Sequence, residues 1–238
     1  MKDVTKMNCV TGMKCVTGMM VAAAICGTTA WATIPEGDVQ PYLENGILKT
    51  GLISEDGLTS TPNVRVFFAE LGEDVPNFTA EPGWLALDGT FNPNVMFTFQ
   101  INRALRQWNG TDFSTLGGSM QLTFGPLTPA VTPATDAIIQ GFSLPIDSEG
   151  GLHDHPFYEL LNPAADGVYL LDLSFSVPGQ GLNTTEPIWI LFGQNADEAT
   201  SQAAYEYATA NVPGPGVIAA LGLGVVGTML RRRGKSRS

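Results

Sequence analysis

Cysteine is almost absent from this chain. Its three cysteines, Cys9, Cys15 and Cys26, all lie within the first 26 of 238 residues. The rest of the chain has no thiol, which excludes disulfide bonds, cysteine-ligated zinc and a cysteine nucleophile there. Histidine is equally scarce, since His153 and His155 are the only two. A metal site beyond residue 26 would have to use nitrogen and oxygen ligands.

Basic residues are scarce between residues 33 and 211, a segment that we call the body. The body has 22 acidic residues and a formal charge of −18, because its basic residues are only Lys49, Arg65, Arg103 and Arg106. A surface of this sign repels nucleic acid and anionic lipid, and it suits cations or basic partners. We therefore expect no nucleic-acid partner. At about 180 residues the body is long enough for one domain with a substantial core.

Catalytic signatures are also missing. The chain has no Gly-x-Ser-x-Gly nucleophile elbow, no phosphate-binding P-loop and no dinucleotide fingerprint after a strand. Two carboxylates could pair for glycoside hydrolysis, but 22 acids in a segment of this length bring some together by chance. The sequence therefore predicts no catalytic or cofactor-binding residue, and we expect a protein that is not an enzyme.

The first 32 residues have the pattern of a secretory signal peptide. Three lysines accompany an apolar stretch over residues 19–26, and the small-x-small sequence Ala30-Trp31-Ala32 follows as a cleavage site. The mature chain is predicted to begin near Thr33. A tandem hexapeptide duplication leaves three candidate start codons, Met1, Met7 and Met13.

The last 27 residues, 212–238, are predicted to form a tail. The tail begins with Val212-Pro213-Gly214-Pro215-Gly216, a break that neither a helix nor a strand continues across. An uncharged, mostly apolar run follows over residues 217–230, and then Arg231-Arg232-Arg233. At about 1.5 Å per residue the run reaches about 21 Å, so it predicts a transmembrane helix that is short for a hydrocarbon core of roughly 30 Å. The arginines place its end at the cytoplasmic face and the body outside.

Break, short helix and arginine cluster in this order resemble the PEP-CTERM sorting signal of bacterial surface and extracellular proteins. The chain has a variant of that signal, with Gly214 where glutamate is usual. The resemblance implies an exosortase-like membrane protease as a partner, which would cut near the motif after transient anchoring in the inner membrane. The protein would then reach the outer surface of the cell envelope or the medium. The alternative is an ordinary short tail anchor that is not cut.

Short β-rich runs alternate with turn signals along the body. Asn45-Gly46 between apolar flanks is the strongest hairpin signal. Apolar residues alternate with polar ones over 95–101, which predicts a half-buried strand, and over 169–177, which is the clearest strand alternation in the chain. Residues 63–71 are apolar on both strand faces, as in a strand buried on both sides. At least seven such runs favour an all-β fold, either an antiparallel β-sandwich or a jelly-roll-like domain.

Helical patterns are few in the body. Residues 196–210 predict one short C-terminal helix, which Asp197 or an adjacent polar residue could cap. Residues 103–108 predict a shorter helical turn. The predicted order is therefore a signal peptide over 1–32, a β body over 33–211 that ends in this helix, and the sorting tail over 212–238.

The sequence His153-Asp154-His155 is the sharpest candidate site. In an extended segment, side chains at positions i and i+2 point to one face, so both imidazoles could reach a single ion. Glu159, Glu149 or Asp147 could supply an oxygen ligand. The alternative is a solvated loop ahead of a strand near Tyr158. No cofactor is certain from the sequence, and a divalent metal ion, zinc or calcium, is the candidate.

This region is similar to the end of certain bacterial surface-anchored domains that are thought to bind metal. The similarity lies in a His-x-His pair followed by Gly167-Val168-Tyr169 and a long alternating strand. The other ligand of those domains lies in an N-terminal His-Val-Asp stretch. The corresponding stretch here, Glu36-Gly37-Asp38-Val39, has no histidine, so the resemblance carries only Asp38 across as a metal ligand.

Three functions remain open from the sequence. The first is an exported surface or extracellular-matrix protein with a non-catalytic structural or binding domain, whose partner is an extracellular polysaccharide or a surface protein. The second is a periplasmic or surface metal-binding protein that uses His153 and His155. The third is a secreted β-sandwich hydrolase. Separately, Trp84, Trp108 and Trp189 could line a sugar-binding face, but such residues more often belong to a core, and Trp189 is predicted to be a core residue.

Overall fold

Strands make up most of the regular structure in the residues that the computed structural model describes, which are 33–54, 56–162 and 165–214. The strands in these ranges are β1 (Asp38–Glu44), β2 (Ile47–Ile53), β3 (Ser60–Pro62), β4 (Val66–Leu71), β5 (Phe78–Thr79), β6 (Trp84–Ala86), β7 (Met96–Ile101), β8 (Arg106–Gln107), β9 (Thr115–Leu116), β10 (Ser119–Thr123), β11 (Ala130–Val131), β12 (Ile139–Pro145), β13 (Leu152–Asp154), β14 (Phe157–Leu161), β15 (Gly167–Ser176) and β16 (Ile188–Gln194). A 3₁₀ turn (Pro178–Gln180) and the helix α1 (Glu198–Asn211) complete the set. The prediction of an all-β fold is confirmed.

The described strands form three sheets. The first has the order β13-β6-β1-β2-β3, the second β11-β10-β14-β5, and the third β12-β7-β15-β16-β4, with β8 and β9 attached to it beside β15. Neighbouring strands are antiparallel except in two places, where β1 lies parallel to β6 and β16 lies parallel to β4. The parallel contact between β1 and β6 joins segments far apart in the sequence, and the candidate site lies beside it.

The β1–β2 hairpin has the turn that its sequence predicts. Asn45 and Gly46 have φ angles of 53° and 76°, and two successive positive values are what a type I′ turn requires. The strands pair from Glu44 opposite Ile47 to Asp38 opposite Ile53. Asp38 therefore sits at the start of a strand that is held in register along its whole length.

One hydrophobic core receives side chains from all three sheets. Trp84 of β6 lies within it and has no exposed surface. Its ring centroid is 5.1 Å from those of both Phe99 and Phe175, and its Nε1 donates a hydrogen bond of 3.0 Å to Tyr158 Oη. Trp84 is therefore a core residue and does not line a sugar-binding face.

β15 confirms the strand predicted over 169–177, and it is buried on both faces although its sequence alternates apolar and polar residues. Leu171 and Leu173 face the main core, whereas Val168 and Leu170 belong to a second cluster that includes Ala204 and Ala208 of α1. The polar residues that suggested an exposed face are buried because other parts of the chain cover that face. The strand over 63–71 is apolar on both sides for the same reason, and that prediction is confirmed.

α1 confirms the helix predicted over 196–210. Its N-cap is Asp197, whose side chain accepts a hydrogen bond of 2.7 Å from the backbone nitrogen of Thr200. The helical turn predicted over 103–108 was wrong, because the backbone there pairs with β15 instead: β8 forms a short ladder, and Trp108 N donates to Val168 O at 2.8 Å.

The first residues of the predicted tail contact the body. Val212 packs against the cluster beneath α1, and the Arg65 guanidinium donates a hydrogen bond to the carbonyl oxygen of Pro213. Gly214 is the last residue described. The predicted signal peptide and the rest of the predicted sorting motif lie outside the described residues, namely 1–32, Pro215, Gly216, the membrane helix over 217–230 and Arg231–Arg233. Over the ranges given above, no helix is long and apolar enough to cross a membrane.

Candidate metal centre

Three neighbouring strands of the first sheet position the candidate ligands. Trp84 of β6 pairs with Val39 of β1 on one side and with Asp154 of β13 on the other. Val39 and Trp84 face the core. Asp38 is the neighbour of Val39 in β1, and His153 is the neighbour of Asp154 in β13, so both project from the opposite face of the sheet. His155 follows directly after β13.

Asp38, His153 and His155 bring three potential ligand atoms together. One ligand atom from each of the three lies within 4.8 Å of the other two. Among the residues that the structure describes, no other histidine, cysteine, aspartate or glutamate side chains form such a group. The two Nε2 atoms are 3.2 Å apart. Asp38 Oδ2 lies 3.7 Å from His153 Nε2 and 3.9 Å from His155 Nε2. This group could hold a metal ion.

The size of this triangle fits a transition-metal ion. The circle through three points separated by 3.2, 3.7 and 3.9 Å has a radius of about 2.1 Å, which is close to the usual zinc–nitrogen and zinc–oxygen distances. Calcium instead takes roughly six to eight oxygen ligands at longer distances, and two imidazoles do not provide them. The donor set therefore favours zinc or a similar ion over calcium.

The carboxylate of Asp38 is buried with only one of its oxygens paired. The residue is 1% exposed, and Oδ1 accepts a hydrogen bond of 2.7 Å from the backbone nitrogen of Gly83. Oδ2 has no hydrogen-bond partner and faces the two Nε2 atoms instead. A buried carboxylate oxygen without a partner is costly unless a cation compensates it. A metal ion between the three atoms would provide that compensation.

Gly83 permits the close approach of the ligands. A Cβ atom at this position would lie 2.6 Å from His155 Cε1 and 2.8 Å from both His155 Nδ1 and Asp38 Oδ1. These distances are shorter than carbon contacts allow, so any larger residue would displace the imidazole or the carboxylate. Gly83 therefore belongs to the site although it contributes no ligand atom.

The remaining nitrogen of His155 is also in contact with acceptors. Nδ1 lies 3.2 Å from Glu81 Oε1 and 3.2 Å from the carbonyl oxygen of Ala80. A proton on Nδ1 leaves the lone pair of Nε2 available to a metal ion.

One side of the site is open to solvent. The His153 side chain is 54% exposed and that of His155 is 34% exposed. A groove of about 300 Å³ adjoins His153, and its other lining residues include Leu85, Leu87, Leu152, Asp56, Asp88 and Asp147. An ion held by three protein ligands would therefore keep a coordination position for water or an added ligand.

Asp154 lies between the two histidines and is partly buried. Burial raises the pKa of this carboxyl group, while the two neighbouring histidines act in the opposite direction. Asp147 lies in the acidic turn Asp147-Ser148-Glu149-Gly150 and behaves differently. Its Oδ1 accepts hydrogen bonds from the backbone nitrogens of Glu149 and Gly151, and the bond from Gly151 is the main cause of its lowered pKa. Hydrogen bonds within the turn account for this carboxylate without an ion.

The structure does not bring Glu159 into the group. Glu159 is only four residues from His155, but it lies on β14 in the second sheet, where it pairs with Gln121 and Phe78. Glu159 is therefore not among the residues whose ligand atoms the structure brings together. Sequence reasoning also missed Glu81 and Gly83, because no local pattern shows that the parallel contact of β1 with β6 brings them to Asp38.

A second buried carboxylate, that of Asp172 on β15, lies among fixed partners. Asn102 Nδ2 donates to Oδ1 at 2.7 Å, and Trp189 Nε1 donates to Oδ2 at 2.9 Å. Arg103 Nε is 2.9 Å from Oδ2, and its guanidinium carbon lies 5.0 Å from the centroid of the Trp189 ring. Burial raises the pKa of Asp172, and Arg103 partly offsets that effect.

No protein-family model, curated protein or solved structure matches this chain. The site is therefore interpreted from its own geometry.

Proposed function

We propose that this protein is an exported bacterial envelope protein whose β body binds one zinc-like divalent ion through Asp38, His153 and His155. The observation that carries this proposal is Asp38 Oδ2, a buried carboxylate oxygen that has no hydrogen-bond partner and faces two imidazole nitrogens. The alternative of a solvated loop does not account for a buried carboxylate at this place. Metal binding accounts for it with the three residues that are already in position.

The ligands would be Asp38 Oδ2, His153 Nε2 and His155 Nε2. Such a set of two nitrogens and one oxygen is typical of zinc sites that keep a fourth position for water or an exogenous ligand. The exposure of His153 supports a fourth position that opens toward solvent. The body also carries a charge of −18, which raises the local concentration of cations around it.

Export is supported by the sequence at both ends of the chain. The first 32 residues have the pattern of a secretory signal, and the tail resembles a PEP-CTERM signal in its order of break, apolar run and arginines. The exosortase-like protease remains the proposed partner, with the body delivered to the outer surface or the medium. A body without thiols would hold its metal ion by nitrogen and oxygen, which oxidation does not threaten as it does cysteine.

A sandwich architecture is part of the same proposal. The third sheet contributes one face to the main core and covers its other face with α1, while the first and second sheets contribute to the main core. This arrangement supports a β-sandwich body whose outer face carries the metal site.

Zinc titration of the purified full-length chain by calorimetry tests the metal proposal. We expect one ion per chain, with binding lost or weakened by at least about a hundredfold in Asp38→Asn and His155→Ala, because each removes one of three ligands. Glu159→Gln is the matched control, since it neutralises an acid close in sequence but outside the group, and it should bind as the wild type does. A wild-type chain that takes up no zinc would overturn the proposal.

Mass spectrometry of the protein isolated from its host tests the sorting proposal separately. Cleavage near Pro213 predicts a mature form without residues 217–238. A mature protein that keeps Ser238 would contradict an exosortase-like step and favour a plain tail anchor.

A further inference from the structure

We propose that Glu81 is a positioning residue of the metal site, which holds His155 so that Nε2 faces the ion. This inference rests on the proposed metal-binding function. It adds a residue that supplies no ligand atom and that decides how well one of the three ligands is presented.

His155 Nδ1 lies next to two hydrogen-bond acceptors. This nitrogen lies 3.2 Å from Glu81 Oε1 and 3.2 Å from the carbonyl oxygen of Ala80. Both neighbours are acceptors, so Nδ1 carries the proton and donates it between them. Nε2 of the neutral ring then has its lone pair directed at the group formed with Asp38 and His153. A carboxylate behind a metal-ligating imidazole fixes its tautomer and strengthens it as a donor.

Glu81 is itself held in place by a hydrogen bond from the backbone. Its Oε2 accepts a hydrogen bond of 3.2 Å from the backbone nitrogen of Gly83, and the same nitrogen donates to Asp38 Oδ1 at 2.7 Å. One backbone N–H group therefore connects the carboxylate behind His155 with the carboxylate that would bind the ion. Gly83 also leaves the space in which His155 and Asp38 approach each other.

The contacts of Glu81 are those of a positioning residue and not those of a metal ligand. Glu81 contacts Nδ1, whereas the nitrogen that faces Asp38 and His153 is Nε2. The group of ligand atoms within 4.8 Å of one another comprises Asp38, His153 and His155 and does not include Glu81. Loss of Glu81 should therefore weaken the site and leave its first coordination sphere unchanged.

The size of the effect follows from known metal sites. Removing a group that orients a metal-ligating histidine typically lowers metal affinity by about ten- to a hundredfold. We expect this loss of zinc affinity in Glu81→Ala. Glu81→Gln keeps an oxygen acceptor for Nδ1–H and loses only the charge, so it should restore part of the affinity.

The experiment combines zinc calorimetry with NMR of the metal-free full-length chain. Long-range proton–nitrogen correlations report which ring nitrogen of His155 carries the proton, and a residue with a merely structural role would leave that balance unchanged. We expect the Nδ1–H form in the wild type, a smaller share of it in Glu81→Ala and recovery in Glu81→Gln. Glu159→Ala is the control for loss of an acidic side chain outside the group.

Four results would overturn the inference. Unchanged zinc affinity in Glu81→Ala, or an unchanged tautomer balance, would show that Glu81 does not position His155. Loss of one oxygen from the zinc coordination sphere in Glu81→Ala, seen by X-ray absorption, would show that Glu81 is a ligand. A wild-type chain that binds no zinc would overturn both proposals, whereas zinc binding that does not respond to Glu81 would overturn only this one.

Discussion

Two buried aspartates on different sheets show how the same side chain can have two roles. Asp38 is 1% exposed at the outer face of the first sheet, and Asp172 is 6% exposed beside α1 on the third. Both oxygens of Asp172 accept hydrogen bonds from fixed side chains, and Arg103 lies against one of them. Asp38 has one partnered oxygen and one without a hydrogen bond.

The difference lies in the partners that each carboxylate has within the chain. Asp172 has a cation and two donors from the chain itself, so its charge is compensated when folding is complete. Asp38 faces two imidazoles at 3.7 and 3.9 Å, distances too long for hydrogen bonds. Asp172 is therefore a structural residue, whereas one oxygen of Asp38 has no hydrogen-bond partner to compensate its burial. Substitutions at the two positions should consequently behave in opposite ways.

The largest effect is expected at Asp172, whose two carboxylate oxygens both accept hydrogen bonds. Asp172→Ala leaves the Arg103 guanidinium and Trp189 Nε1 without the carboxylate, and the Asn102 amide loses one of its two acceptors and keeps Ser174 Oγ. We expect the free energy of unfolding to fall by roughly 3 kcal/mol, the lower end for breaking a buried ion pair, because the Arg103 side chain keeps 26% of its surface exposed. Urea unfolding measures this loss. A variant as stable as the wild type would show that Asp172 does not stabilise the fold, and it would contradict the difference in role between Asp172 and Asp38.

Zinc should stabilise the wild type and not the Asp38 variant. At a free zinc concentration of about one hundred times Kd, the free energy of unfolding should rise by about 2.7 kcal/mol. Asp38→Asn should abolish this gain. In the absence of zinc, Asp38→Asn should be at least as stable as the wild type, because it keeps an acceptor for the Gly83 N–H and removes an uncompensated buried charge. An equal zinc response in both proteins would contradict the account.

Gly83→Ala should weaken zinc binding by roughly tenfold or more, which corresponds to about 1.4 kcal/mol. The added methyl group would meet the His155 ring and Asp38 Oδ1 at less than 3.0 Å, so the ligand triangle must widen. Gly214→Ala is a suitable control because a Cβ there meets nothing within 4 Å. Calorimetry of both variants gives the result, and equal affinities would show that Gly83 does not limit the geometry of the site.

The smallest expected effect is a change with pH in the stability difference between Asp172→Asn and the wild type. Burial raises the pKa of Asp172 above its ordinary value of 3.8, with Arg103, Asn102 and Trp189 acting in the opposite direction. The folded state therefore holds this proton more tightly than the unfolded state. The contribution of Asp172 to stability is largest below its ordinary pKa and declines as pH rises through the raised value. The stability deficit of Asp172→Asn relative to the wild type should thus shrink as pH rises from about 4. Urea unfolding at several pH values would contradict this if the deficit grew or stayed constant.

Local patterns explain which parts of the fold were predictable. The Asn45-Gly46 turn is specified by two residues that tolerate positive φ, and α1 is specified by its cap and composition. The burial of β15 was not predictable in the same way, because Asp172 and Ser174 look like an exposed face in the sequence, whereas the structure buries both and Asn102 donates hydrogen bonds to them. Side-chain alternation reports the polarity of a face and not what packs against it.

The candidate site was predictable only in part. His153 and His155 are neighbours in sequence, and their spacing on an extended segment already places them on one face. Asp38 came from a resemblance, since nothing local connects it with residues more than 100 positions away. Glu81 and Gly83 had no sequence signal, because their role arises from the parallel contact between β1 and β6.

A zinc-loaded crystal of the full-length chain, examined by anomalous diffraction at the zinc edge, tests the central claim most directly. The account predicts one ion within about 2.0–2.2 Å of Asp38 Oδ2, His153 Nε2 and His155 Nε2, with its remaining position open toward solvent. An empty site at saturating zinc would contradict it, as would an ion bound only by the groove carboxylates of Asp88 and Asp147.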